Sequence, residues 1–156
     1  MNLSKKKIIL KVKPNLYLKT IQEDNISKKY INWLNTYEIT KFTEQKNFKH
    51  NYSNVKNYVR KKFLSKDDLL FGIFYKNKHV GNIKLGKINW EHESTEVSFF
   101  IGDKKFWGKG ITSNSLKKVV SYATNTLKIK KINAGYYENN FGSAKVFSNC
   151  NFKVEG

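Results

Sequence analysis

The chain has 156 residues, of which 39% are hydrophobic and 15% aromatic, enough for one domain that folds around its own core without covalent staples. One cysteine and one proline exclude a disulfide framework, a CxxC zinc site and a proline-rich architecture, and the apolar runs fall far short of the ~20 residues of a membrane span. A net charge of +18 asks for anionic partners, whether nucleic acid, a membrane surface or a polyanionic small molecule.

Residues 1–14 form a basic leader closed by Pro14, with strand character at Ile8-Ile9-Leu10 and no apolar region or cleavage site of a secretory signal. The cytoplasm is therefore the expected compartment. Leu16-Tyr17-Leu18-Lys19 is a first strand. Asp24 or Ser27 caps a helix carrying Ile26, Tyr30, Trp33 and Leu34 on one face. Asn35 to Lys49 is polar and turn-rich, a loop with one helical turn. A second helix starts at Asn51 or Ser53 and carries Tyr52, Val55, Val59 and Phe63.

The period then changes. Leu69 to Tyr75 is a strand, Lys76-Asn77-Lys78-His79 a tight turn, Val80 to Ile88 a second strand, and Glu96 to Ile101 a third. The faces of that third strand are Glu96, Ser98, Phe100 and Val97, Phe99, Ile101. A glycine turn leads into a long helix through Leu116, Val119, Val120, Ala123 and Leu127. Ile132 to Glu138 is a further strand, Asn140 opens a last helix with Ala144, Phe147 and Cys150 on one face, and Phe152 begins a new extended piece. This order predicts an α+β or mixed α/β fold over residues 1–156, with one mostly antiparallel sheet and helices on both faces.

The chemistry concentrates in Ile101 to Ile111, which joins a strand to an amphipathic helix. Gly108 and Gly110 can take positive φ. Successive N–H groups there would form an anion-binding nest at a helix N-terminus, with Lys104, Lys105 and Lys109 adding charge. The spacing is neither that of a Walker loop nor of a dinucleotide fingerprint. Elsewhere, Cys150 reads as core rather than nucleophile, and His50, His79 and His92 share no metal-ligand spacing, so no metal is expected.

Lys105-Phe106-Trp107-Gly108-Lys109-Gly110 resembles the pyrophosphate motif [RQ]xxGx[GA] of the GNAT acetyltransferases. Ile101-Gly102-Asp103 before it and Ile111-Thr112 after it resemble the ribosomal-protein N-terminal acetyltransferase (RimL-like) branch. Trp33-Leu34-Asn35, Phe71-Gly72-Ile73, Val80-Gly81-Asn82-Ile83, Glu96, Asn140-x-x-Ser143 and Asn151-Phe152 extend the resemblance over most of the chain, in order. It implies the GNAT fold and acetyl transfer from acetyl-CoA, as cosubstrate, to a primary amine.

By that resemblance, the cofactor lies against Phe99, Phe100, Ile101, Lys105, Phe106, Trp107, Gly108, Lys109, Gly110, Ile111, Thr112, Asn140, Ser143 and Phe147. Glu96 is the matching base, Ser143 the acid for the leaving thiolate, and a backbone N–H of the Phe99–Phe100 strand the oxyanion donor. Trp33, Glu44 and Glu96 shape the acceptor pocket. Three departures stand out. Lys105 replaces Arg or Gln, Asn151 replaces a helix-ending Gly, and Phe147 replaces a Tyr that many members use as general acid.

Trp33-Leu34-Asn35 with Lys41-Phe42 and Glu44 resembles members associated with surface-polysaccharide sugars, so a nucleotide-linked amino sugar is the favoured acceptor over a protein N-terminus. The competing reading is a non-catalytic, basic nucleic-acid-binding module, for which Tyr52 to Phe63 would supply stacking rings. Neither nucleic acid nor membrane is the expected partner. The resemblance also implies a C-terminal strand pair for which Phe152 to Glu155 is too short, leaving the Ile132–Glu138 edge for the leader or for a two-fold homodimer to cover.

Overall fold

The computed structural model describes residues 1–40, 49–108 and 110–134. Among them, six strands form one sheet in the order β1-β2-β3-β4-β5-β6: β1 (Ile9–Lys13), β2 (Leu16–Thr20), β3 (Leu69–Tyr75), β4 (Lys78–Leu85), β5 (Ser94–Ile101) and β6 (Lys131–Ala134). The first five pair antiparallel and β6 pairs parallel to β5. The mixed, mostly antiparallel sheet is thus as expected.

Helices cover both faces. On one side α4 (Ile111–Asn125) sets Ile111, Leu116, Val119 and Ala123 against Leu18, Phe71, Ile73, Ile83, Leu85 and Val97. Each such aliphatic side chain contributes roughly 1.5–3 kcal/mol by leaving water. On the other side α1 (Lys28–Asn35) and α3 (Tyr52–Leu64) bring Tyr30, Trp33, Leu34, Val55 and Val59 onto Ile21, Leu70 and Phe100. A single-turn α2 (Tyr37–Thr40) follows α1.

The helix starts follow from short polar side chains. Ser27 Oγ accepts from Tyr30 N at 3.1 Å and Asn51 Oδ1 from Asn54 N at 2.9 Å. Each satisfies an otherwise orphaned donor, worth about 1 kcal/mol. Asp24 instead lies in a 3-10 turn over Glu23–Asn25.

Three local expectations are corrected. The leader contains β1, with Leu10 buried opposite Leu18. Leu3 N also donates to Lys66 O at 3.1 Å. Being paired to β2, this segment lies at the opposite edge of the sheet from β6 and does not cover it. The β3–β4 turn is Lys76-Asn77 alone, both at positive φ (50° and 64°), the geometry that fits the sheet's twist. Finally, the register shifts between Ile73↔Gly81 and Phe74↔His79, so Val80 is an extra residue. This bulge turns Val80 into the α4-side cluster with Ile83 and Leu85, although strict alternation put it with Asn82. The predicted strand beyond Ala134 and the last helix lie outside the described residues.

Candidate active site

The site is built at the C-terminal end of β5 and the start of α4. Gly86 N donates to Glu96 O at 3.0 Å and Gly102 N to Val80 O at 2.8 Å. An antiparallel ladder alternates, so Glu96, Ser98, Phe100 and Gly102 turn their main-chain groups toward β4. Val97, Phe99 and Ile101 turn theirs to the other side, the side on which β6 pairs, through Val97↔Ala134 among the described residues. This corrects the oxyanion expectation for Phe100, whose N–H faces β4. Phe99 is the member of that pair whose N–H points away from it.

After Ile101 the chain makes a 3-10 turn over Lys104–Phe106, capped by Asp103, whose carboxylate accepts from Lys105 N at 3.3 Å. Phe106 packs edge-on to Tyr75 at 5.4 Å between ring centroids. Gly108 and Gly110 adopt φ of 74° and 75°, as expected. Gly110 is the N-cap of α4 in the left-handed region, and its C=O accepts from Asn114 N at 3.0 Å. Among the described residues, a Cβ at Gly108 would meet nothing within 4 Å, and one at Gly110 only Asn114 Nδ2 at 3.7 Å. Among the described residues the loop is therefore unobstructed at the positive end of α4, as an anion cradle requires. Ile111 is buried beneath it, so it can meet a ligand only through its backbone, while Thr112 is half-buried.

Ion pairs tie this loop to the opposite face. Asp103 Oδ2 lies 3.7 Å from both Lys29 Nζ of α1 and Lys105 Nζ, and Lys104 pairs with Glu38 of α2. Lys105 Nζ also lies 5.3 Å from the Phe106 ring centroid. These exposed pairs are worth about 0–1 kcal/mol each, but they leave the carboxylates around the loop neutralised.

Glu96 is exposed on β5, opposite Asn133, and among the described residues it makes no ion pair. It shares its face with Phe100, whose ring meets Trp33 at 6.3 Å. Trp33 is only 6% exposed and lies so close over Gly102 that a Cβ there would come within 2.0 Å of the indole. Its ring is committed to packing over the end of β5. Glu44, Lys109, Asn140, Ser143 and Phe147 lie outside the described residues.

Beside Trp33 is a polar cluster that composition and spacing do not announce. His79 Nε2 lies 2.7 Å from Asn82 Oδ1, and the ring is enclosed by Tyr30, Trp33 and Phe74. The Val80 bulge is what brings His79 and Asn82 to the same face. Burial holds the imidazole below its usual range, against the bond to Asn82, and Lys29 and Lys19 push the same way. Burial likewise raises the Tyr30 phenol. A histidine depressed in the folded state binds its proton more readily when unfolded. Its contribution to stability is complete above about pH 6.5 and is lost as pH falls through the folded value. The melting temperature of the wild type is expected to drop from pH 7 toward pH 5 more steeply than that of His79→Gln. Parallel slopes in the two melting series would show that His79 titrates as in the unfolded chain.

Residues 15–153 match the family described as Acetyltransferase (GNAT) domain. The chain belongs to this family. Its members use acetyl-CoA, and the open glycine loop at a helix N-terminus fits that cosubstrate's pyrophosphate. The chain is 34% identical over 89 residues to a probable N-acetyltransferase, YjcK, of Bacillus subtilis, covering 55% of this chain and 49% of that one. It spans about half the length of the curated relatives it matches.

Among solved structures, the GNAT fold is shared with RimL, a ribosomal-protein α-N-acetyltransferase in complex with CoA (TM-score 0.87, 18% identity, 96% of this chain and 86% of that one). It is also shared with the microcin self-immunity acetyltransferase MccE in complex with acetyl-CoA and AMP (TM-score 0.80, 20% identity, 93% and 82%). A third is spermidine N-acetyltransferase from Vibrio cholerae in complex with CoA and spermine (TM-score 0.81, 19% identity, 92% and 84%). The three differ in what they are named for acting on, so family membership leaves the acceptor open. Among the described residues no helix is long and apolar enough to cross a membrane, and no group of His, Cys, Asp and Glu could hold a metal ion.

Proposed function

We propose that the chain is a cytoplasmic, acetyl-CoA-dependent N-acetyltransferase whose acceptor is an anionic primary amine, a nucleotide-linked amino sugar above a protein N-terminus. The observation that carries the activity is the loop that follows β5, with Gly108 and Gly110 at positive φ opening into α4. Main-chain N–H groups at Gly110 and the first turn of α4 hold the pyrophosphate. The outward edge of β5 at Phe99 and Ile101 lines the arm that leads to the thioester. Glu96 accepts the proton that the amine must lose to attack. Ser143 is the proposed proton donor to the leaving thiolate and Asn140 a contact to the arm.

The acceptor class follows from charge. Asp103 is flanked by Lys29 and Lys105, and Glu38 by Lys104, so these two carboxylates are already neutralised, and Glu96 rather than an acidic cluster is left to meet the amine. A net charge of +18 adds a field that draws an anionic amine and repels spermidine. Glu44 and the support given by Trp33 complete the proposed pocket. A homodimer through the β6 edge is the proposed assembly.

The test is a thermal-shift titration with acetyl-CoA, followed by thiol-release assays against nucleotide-linked amino sugars, peptides with free N-termini, and spermidine. Stabilisation by acetyl-CoA with turnover largest on the amino sugars is expected. Turnover largest on spermidine would overturn the acceptor class. Absence of any acetyl-CoA shift, with salt-sensitive nucleic-acid binding, would favour the binding-module reading.

A further inference from the structure

Trp107 is 47% exposed, yet its indole is held in place: Nε1 donates to Ile101 O at 2.8 Å. That carbonyl belongs to the set that points away from β4, by the same alternation that puts Gly102 N on Val80 O. The chain thus leaves β5 at Ile101, passes through the 3-10 turn, and returns a side chain to the strand's outward edge just before Gly108. Trp107 N also donates to Lys104 O at 3.0 Å, which closes the turn beneath the indole. Among the described residues, the other side-chain ties on this loop include half-exposed ion pairs and the edge contact of Phe106 with Tyr75, which hold its start rather than its glycine end.

We propose that Trp107 is a positioning residue that sets the distance and register between the outward edge of β5 and the Gly108–Gly110 loop, so that a single CoA molecule can occupy both. The inference rests on the reading of that loop as the pyrophosphate site. Its physical content is a junction. A strand-like arm lying along β5 finds one lone pair of the Ile101 carbonyl already engaged and the indole standing over that edge, which favours its turning away there. The molecule then turns toward the loop, whose start is fixed by the same bond. An indole suits this role because it donates and does not accept, and because its rigid ring spans the gap with two side-chain torsions. Two half-sites held in the right relation bind one linked ligand far better than either half alone, and that advantage is lost when the relation relaxes.

The test separates linked from unlinked binding. Affinities are measured by calorimetry or by NMR titration for intact CoA, for its phospho-ADP half and for S-acetylpantetheine. The proteins are the wild type, Trp107→Phe, and a variant with the isosteric benzothienylalanine at 107, which removes only the N–H. Both substitutions are expected to weaken intact CoA about 3- to 10-fold, the range of one neutral hydrogen bond. Each half should change less than about twofold, since loop and strand each keep their own groups. KM for acetyl-CoA should rise by the same factor as the CoA dissociation constant, with kcat and the acceptor KM unchanged.

Wild-type CoA affinity in both variants would overturn the proposal, as would halves that weaken as much as the whole. If the phospho-ADP half fails to bind the wild type and Gly108→Val binds CoA normally, the loop is not the pyrophosphate site, and the underlying reading falls with the inference.

Discussion

Valine at Gly108 or at Gly110 is expected to abolish CoA binding, with the fold retained. Both glycines have φ near +75°, a region that a β-branched residue rarely enters. Forcing it there costs about 1–3 kcal/mol, or roughly 5- to 150-fold in the population of the loop conformation. The side chain would also stand in the space that a phosphate needs, since nothing among the described residues lies within 4 Å of a Cβ at Gly108. That openness is why the fold should survive: there is no core atom to displace. Gly108→Asn is the informative companion. Asparagine tolerates the left-handed region, so it keeps the loop's shape while filling part of the opening, and an intermediate loss is expected. Calorimetry with CoA on variants whose melting temperatures match the wild type decides the matter. Wild-type affinity in either valine variant would remove the loop from the cofactor site.

The features legible in the sequence are the local ones. Ser27 and Asn51 cap helices because a short oxygen-bearing side chain before an amphipathic run has few other uses. The alternation of β5 gives Glu96 and Phe100 one face and Val97 and Ile101 the other, as read. The glycines of the cradle are left-handed where a strand must turn sharply into a helix. What escaped depends on distant partners or on one inserted residue. The strand character of Ile8-Ile9-Leu10 was legible, but the pairing of β1 with β2, at the other end of the sheet from β6, depends on a partner that periodicity does not name. The Val80 bulge shifts a single residue and thereby gathers His79, Asn82 and Tyr30, which no periodicity encodes. Asp103 was legible as an acid before a turn, but its pairing with Lys29 comes only when α1 folds back over the sheet. The Trp107–Ile101 bond is local in sequence, yet it requires knowing which way the Ile101 carbonyl points, and that is fixed by register with β4.

Glu96→Gln is expected to lower turnover about 10²- to 10⁴-fold at neutral pH while leaving the affinity for acetyl-CoA intact. The carboxylate stands on the exposed face of β5, toward the α1 side, in line with Ser98 and Phe100 and within the strand whose end leads into the glycine loop. An amine acceptor is protonated in water and must surrender a proton before its lone pair can attack. A carboxylate that is open to solvent and bound in no ion pair among the described residues can take that proton directly or through one water. Glutamine keeps the size and the backbone bonds, including Glu96 O with Gly86 N at 3.0 Å, so the sheet should not change. The loss should shrink as pH rises toward the acceptor's own pKa, because the free amine then no longer needs the base. A variant that turns over at the wild-type rate at pH 7, with the acceptor still protonated in bulk, would assign the proton to another group. A rate deficit that stays constant up to pH 10 would mean that Glu96 positions the acceptor rather than deprotonating it.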